Sequence, residues 1–147
     1  MMKKRVLILN GPNLNLLGKR ETEVYGSKDF ESFFIALKKN FEDEVNLEYY
    51  QSNIEGELIN KLHEVGFSFE GIIFNPGGYT HTSVALHDAI KAISSPVIEV
   101  HMTNIHSREE FRHVGITSAA SLGVVSGFGL WSYEMALQFL LDNYAVQ

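Results

Sequence analysis

Cysteine is absent from the chain. Its absence excludes disulfides, thiolate metal sites and a cysteine nucleophile together. Basic charge is scarce, with 12 Lys and Arg against 18 Asp and Glu and a net charge of −6. A dedicated nucleic-acid binder normally carries a basic face, so that class is set aside. Long hydrophobic runs are missing as well. Three basic residues precede the apolar run Val6–Leu9, but an export signal needs an apolar centre of roughly 7–15 residues. No stretch approaches the roughly 18 apolar residues of a membrane span. These absences predict a cytoplasmic protein with no membrane and no nucleic-acid partner. Metal-site patterns are lacking too. The histidines include no i, i+4 pair and no HExxH, so no metal is expected. No G-x-S-x-G elbow is present to present a serine nucleophile. Of the lysines, only Lys19 falls in a segment that follows a strand, which leaves imine chemistry without a buried amine.

What is present reads as one ordinary domain. The length is 147 residues, 45% hydrophobic and 20% charged, enough for one core. Five short apolar runs, Val6–Leu9, Val45–Tyr50, Gly71–Phe74, Pro96–Val100 and Leu122–Val125, alternate with five candidate helices. Most runs are continuous, as expected for strands covered on both faces. Phe30, Phe33, Phe34, Leu37 and Phe41 form a helical stripe, and Ile54, Leu58, Ile59, Leu62 and Val65 form another, ending at Gly66 as a C-cap. A third helix is expected over about Thr82–Ile93, a short fourth over Ser107–His113, and a fifth over about Leu130–Tyr144. Strand–helix alternation with short connections implies a parallel sheet with right-handed crossovers. The predicted fold is α/β, a flavodoxin-like doubly wound sheet of five parallel strands in the order 2-1-3-4-5. Ligands of such sheets bind beyond the carboxyl ends of the strands, at the switch point between strands 1 and 3.

The segments at those ends carry the chemistry. Strand 1 runs into Asn10-Gly11-Pro12-Asn13-Leu14-Asn15-Leu16-Leu17-Gly18. This reads either as a tight turn with self-bonded amides or as a carboxamide facing the crevice. It continues through Lys19 to Gly26 with no helical or strand period. A polar loop of that length suits a functional lid, with Arg20 and Tyr25 as its reactive side chains. Strand 3 ends in Asn75-Pro76-Gly77-Gly78-Tyr79-Thr80-His81. Its glycines permit close backbone approach to a ligand, but the segment lacks the Gly-Lys-Ser/Thr ending of a Walker loop.

Strand 4 gives the sharpest local signal. Glu99 and His101 are two apart and share a face. A carboxylate beside an imidazole favours its protonated form, which suits a general acid. The alternative is a structural ion pair. Beyond it, Arg108 and Arg112 lie four apart, where like charges cost roughly 0.2–0.5 kcal/mol on a helix. A bound anion would offset that, and so would a Glu109–Arg112 pair. Together these residues point to acid–base work on an anionic, hydroxyl-bearing small molecule. Tyr25 is the candidate base, activated by a cationic arginine, and His101 the candidate acid.

The ordered motifs resemble those of type II 3-dehydroquinate dehydratase, an enzyme family of the shikimate pathway. They are Asn10–Gly18, Arg20-Glu21 with Val24-Tyr25-Gly26, Asn75–Asp88, Ile98–His101, Asn104-Ile105-His106 and Arg108–His113. The resemblance covers nearly the whole chain. It implies that residues 1–147 form a single catalytic domain. The implied reaction converts 3-dehydroquinate to 3-dehydroshikimate and water, by anti elimination through an enolate, with no cofactor. It implies Tyr25 as proton acceptor at C2, Arg20 as transition-state stabiliser and Arg108 as a second cationic support. Asn13 would hold a water at the enolate oxygen. His101 would protonate the leaving C1 hydroxyl, with Glu99 orienting it. Asn75, His81, Arg112 and the backbone at Met102 and Thr103 would bind substrate, and Asp88 would reach in from a neighbouring subunit. The implied assembly is a homododecamer of trimers. His87 stands where members often carry arginine, Pro76 where alanine is common, and Met102 where isoleucine or leucine is common. A different flavodoxin-like protein, binding flavin mononucleotide, would need a Ser/Thr-rich loop after strand 1, where this chain has asparagines.

Overall fold

The run Val6–Leu9 becomes the centre of the molecule, with all four side chains fully shielded from solvent. It belongs to β1 (Lys4–Asn10), which pairs in parallel with β2 (Val45–Gln51) on one side and β3 (Gly71–Asn75) on the other. β4 (Val97–His101) and β5 (Gly123–Ser126) complete a five-stranded parallel sheet in the order β2-β1-β3-β4-β5. In this computed structural model, residues 3–19, 21–25 and 29–144 are described, without the side chains of Thr22 and Tyr25.

Alternation along β1 divides the core. Val6 and Ile8 face α2 (Phe30–Asn40) and α5 (Trp131–Asn143), packing with Phe30, Leu37, Tyr133, Ala136, Leu137 and Leu140. Leu7 and Leu9 face α3 (Glu55–Val65) and α4 (Val84–Ala92), packing with Leu58, Leu62, Leu86 and Ile90. A strand covered on both faces needs no polar side, hence the unbroken apolar run. Each such side chain contributes about 1.5–3 kcal/mol by leaving water.

Two of the helices, α2 and α4, start where the sequence supplies a side-chain acceptor. Asp29 caps α2 by accepting from the Ser32 backbone N–H at 2.7 Å. Ser83 caps α4 by accepting from the Leu86 N–H at 2.9 Å, and its own hydroxyl donates to Glu55 Oε2 at 2.6 Å. Gly66 is the C-cap of α3, yet it is right-handed, with φ −68°. Its lack of a side chain serves packing, because a Cβ there would lie 2.4 Å from Ile93 Cγ2.

Two expectations need correction. The Lys19–Gly26 segment is not wholly irregular: Thr22–Tyr25 forms one helical turn, α1. The short helix expected over Ser107–His113 does not form. Two 3₁₀ turns, Ile105–Ser107 and Glu110–Arg112, flank an extended Arg108. So short a segment with no buried side chain cannot recover the cost of helix nucleation. Phe111, the apolar side chain at its centre, is exposed. Among the described residues, no helix is long and apolar enough to cross a membrane.

Candidate active site

Parallel pairing sets Asn10 directly opposite Asn75 at the carboxyl ends of β1 and β3. The loops that follow touch backbone to backbone. Gly11 N–H donates to the Asn75 carbonyl at 2.8 Å, and a Cβ at Gly11 would lie 2.6 Å from the Pro76 oxygen. Gly77 sits at φ +62° against the Pro12 carbonyl. The two glycines thus let the strand-end loops close on one another at the switch point.

Between these loops and the end of β4 lies a crevice of about 730 Å³, its open mouth included. Asn13, Asn75, His81, His101, Met102, Thr103, Arg108 and Arg112 all line it. Among the described residues, two arginines and two histidines face the crevice and no carboxylate does. Despite the acidic chain as a whole, the local field suits an anion.

Asn13 takes a left-handed backbone, φ 71°. Its N–H donates to Asn53 Oδ1 at 3.0 Å. Gln51 steadies the same loop, donating to Asn53 Oδ1 and to the Gly11 carbonyl, each at 3.1 Å. His81 Nδ1 lies 2.8 Å from the Val114 carbonyl. A carbonyl only accepts, so Nδ1 carries the hydrogen and a neutral ring keeps Nε2 as an acceptor.

Glu99 is fully buried behind His101, whose Nε2 lies 2.9 Å from Glu99 Oε2. Burial alone would raise the Glu99 carboxyl. The hydrogen bond and charge of His101, with the Ser118 and Thr117 hydroxyls, outweigh burial and hold it below its ordinary value. The site therefore keeps an ionised carboxylate under the imidazole.

Arg108 reaches the crevice from the extended position between the two 3₁₀ turns and Arg112 from the second turn, not from one helical face. Glu109 lies between them, 2.8 Å from Arg112 Nε and 3.7 Å from Arg108 Nε. The hydrogen bond from Arg112 holds the Glu109 carboxyl down to about 2. Of the two ways to offset the arginine pair, the Glu109 partnership is thus present. Arg108 Nη1 also donates to Thr103 Oγ1 at 3.3 Å.

Of the remaining expected residues, two fall outside what the structure describes and one does not line the crevice. Arg20 lies outside the described residues, as does the side chain of Tyr25. Asp88 is on the outer side of α4, its side chain 73% exposed and 3.2 Å from His87 Nδ1. It does not line its own chain's crevice.

The structure also adds residues that sequence reasoning missed. Tyr133 lies fully buried beneath the crevice. Its hydroxyl donates to Asn10 Oδ1 at 2.8 Å and accepts from Asn75 Nδ2 at 2.9 Å. Asn75 Oδ1 then accepts from Gly77 N–H at 3.1 Å. Tyr133 falls three residues before Ala136 on the inward face of α5, and a buried phenol needs a polar partner. That was the available signal. Asn53, Thr117 and Ser118 carried none.

Tyr133→Phe is expected to cost about 1–3 kcal/mol in urea unfolding at pH 7, because two buried amide groups lose their partner. Burial pushes the Tyr133 phenol above its ordinary value of 10.0, against the hydrogen bonds from Asn75 and to Asn10. A phenol raised on folding stabilises below the unfolded value and loses that contribution as pH rises past it. The wild type should therefore lose stability above about pH 10 more steeply than Tyr133→Phe. Parallel alkaline limbs would show that Tyr133 is not the titrating group.

Comparison with known proteins finds similarity over nearly the whole chain. The family model described as dehydroquinase class II matches residues 4–141. A 3-dehydroquinate dehydratase from an Exiguobacterium species is 49% identical over 140 residues, covering 95% of this chain and 96% of that one. A 3-dehydroquinate dehydratase from Clostridium perfringens is 50% identical over 143 residues, covering 95% and 97%. The crystal structure of a type II dehydroquinase from Butyrivibrio crossotus superposes with a TM-score of 0.90 at 41% identity, covering 94% of this chain and 97% of that one. The chain belongs to the class II dehydroquinase family.

Proposed function

We propose that this protein dehydrates 3-dehydroquinate to 3-dehydroshikimate in the shikimate pathway, as a type II 3-dehydroquinate dehydratase. The observation that carries the reading is the buried Glu99–His101 pair opening onto a cationic crevice, in a chain that matches the family over residues 4–141.

The substrate is an anionic, hydroxyl-bearing ring with a ketone at C3. Elimination breaks the C2–H bond and the C1–O bond and leaves a C1–C2 double bond. Tyr25 accepts the C2 proton, and the electron pair moves into an enolate at C3. A free phenol titrates at about 10, so a phenolate base needs cations beside it. Arg20 and Arg108 take that part. Asn13 holds a water that donates to the enolate oxygen. As the enolate collapses, His101 gives its proton to the departing C1 hydroxyl, which leaves as water. The ionised Glu99 accepts from His101 Nε2 and orients the ring for this. The proton on Tyr25 returns to His101 through solvent, which restores both groups. Asn75, His81, Arg112 and the backbone at Met102 and Thr103 orient the ring and its carboxylate.

The reading extends to assembly and location: a cytoplasmic homododecamer of trimers, with Asp88 serving a neighbour's site. Its support is the family resemblance and the outward position of Asp88. Exposed apolar side chains on and around β5, including Leu122, Val124, Phe128 and Trp131, add to it, because such patches mark contact surfaces.

Mixing the purified protein with 3-dehydroquinate is expected to raise the ultraviolet absorbance of the conjugated enone. No rise at any protein concentration would refute the assignment.

A further inference from the structure

The His101–Glu99 pair does not stand alone. Glu99 Oε1 accepts the Thr117 hydroxyl, and Glu99 Oε2 accepts the Ser118 hydroxyl as well as His101 Nε2. Both carboxylate oxygens are therefore engaged from a segment 18 and 19 residues away. Thr117 is itself fully buried, so its hydroxyl has no solvent to turn to. Ser118 sits over Gly115, where a Cβ would lie 1.9 Å from Ser118 Oγ. Only glycine at 115 leaves that hydroxyl in its place.

The same segment is fastened to the turn that carries His81. The N–H groups of Ile116 and Thr117 both donate to the Thr80 carbonyl, at 2.7 and 3.3 Å. His81 Nδ1 donates to the Val114 carbonyl at 2.8 Å. One short stretch, residues 114–118, thus grips both the carboxylate behind His101 and the imidazole of His81, which lines the same crevice.

We propose that Thr117 and Ser118 are positioning residues for the proton donor, fixing the plane and ionisation of Glu99 and, through it, the ring of His101. A carboxylate held by His101 alone is free to turn about its terminal torsion, which is broad. Two hydroxyls aimed at its two oxygens remove that freedom. They also stabilise the anion, since hydrogen bonds to the charged form favour it. His101 then meets a fixed, ionised partner in every turnover. The inference rests on the proposed dehydratase reading for its kinetic consequence, but not for its electrostatic one.

The test compares the full-length protein with Thr117→Val, Thr117→Ser and Ser118→Ala. In Thr117→Val, kcat is expected to fall about tenfold, one factor of ten per lost charge-assisted hydrogen bond. KM should stay within about twofold, because the interaction lost is one used in the transition state. The carbon-13 signal of the Glu99 carboxyl should titrate about one pH unit higher than in the wild type. The acid limb of the kcat profile should move with it, and Thr117→Ser should restore both. If Thr117→Val does not fold, Ser118→Ala carries the same two readouts, because Ser118 is only partly buried. A Glu99 titration unchanged in a folded variant overturns the inference, as does a fall in kcat that leaves the acid limb in place and that serine does not restore. A wild type inactive on 3-dehydroquinate overturns the dehydratase reading instead. The Glu99 titration then still decides whether Thr117 and Ser118 hold the carboxylate.

Discussion

Tyr25→Phe is expected to lower kcat by about 10²–10⁴-fold, the range a positioned general base supplies. KM should change by no more than a few-fold. The variant keeps the ring and loses only the oxygen proposed to accept the C2 proton. Its effect therefore falls on the transition state and not on ground-state binding. Steady-state kinetics of enone formation reads both constants. A kcat within threefold of the wild type would remove Tyr25 from the mechanism. A large rise in KM at unchanged kcat would make it a binding residue.

His101→Ala is expected to remove about 10²–10⁴ in kcat through loss of the proposed acid. It also carries a stability cost that Tyr25→Phe does not. Glu99 is fully shielded from solvent, and stripping a buried carboxylate of its ionic partner costs roughly 3 kcal/mol. That cost has a sign in pH. Glu99 is held below its ordinary value of 4.5 on folding. Its contribution to stability is therefore present above pH 4.5 and lost as pH falls through the lowered folded value. Without His101 the carboxyl loses part of that depression. The variant should be less stable at pH 7 but should lose stability less steeply in acid. Urea unfolding at pH 7 and pH 4 checks this. A difference between variant and wild type that is the same at both pH values would contradict the account of the pair.

The sheet was legible because its strands are covered on both sides and so read as unbroken apolar runs. Val6–Leu9 shows this most plainly, fully buried from end to end. The stripe from Phe30 to Phe41 was equally readable, because α2 buries one face against the sheet. The segment Ser107–His113 was not. Its charged residues suggested a helix by spacing, but with Phe111 exposed no apolar face repays nucleation. Ile105 is instead buried as an anchor.

The site followed the same division. Glu99 and His101 were visible because strand periodicity alone puts them on one face. Asn10 and Asn75 were visible because they end adjacent strands, and the register sets them opposite one another. Their partner Tyr133 lies 123 residues from Asn10 and 58 from Asn75. Thr117 and Ser118 reach Glu99 across a loop with no periodic pattern. Contacts of that kind are created by the folded topology and leave no local signature. Asn53 is hidden for a similar reason, since it supports the left-handed Asn13 from across the first crossover.

The most direct measurement of the central claim uses 3-dehydroquinate deuterated at C2, on the face opposite the C1 hydroxyl. Enone should form with loss of that deuterium to solvent, because the base removes the anti hydrogen as an enolate forms. Enone that retains the label, with the other C2 hydrogen lost, would contradict it.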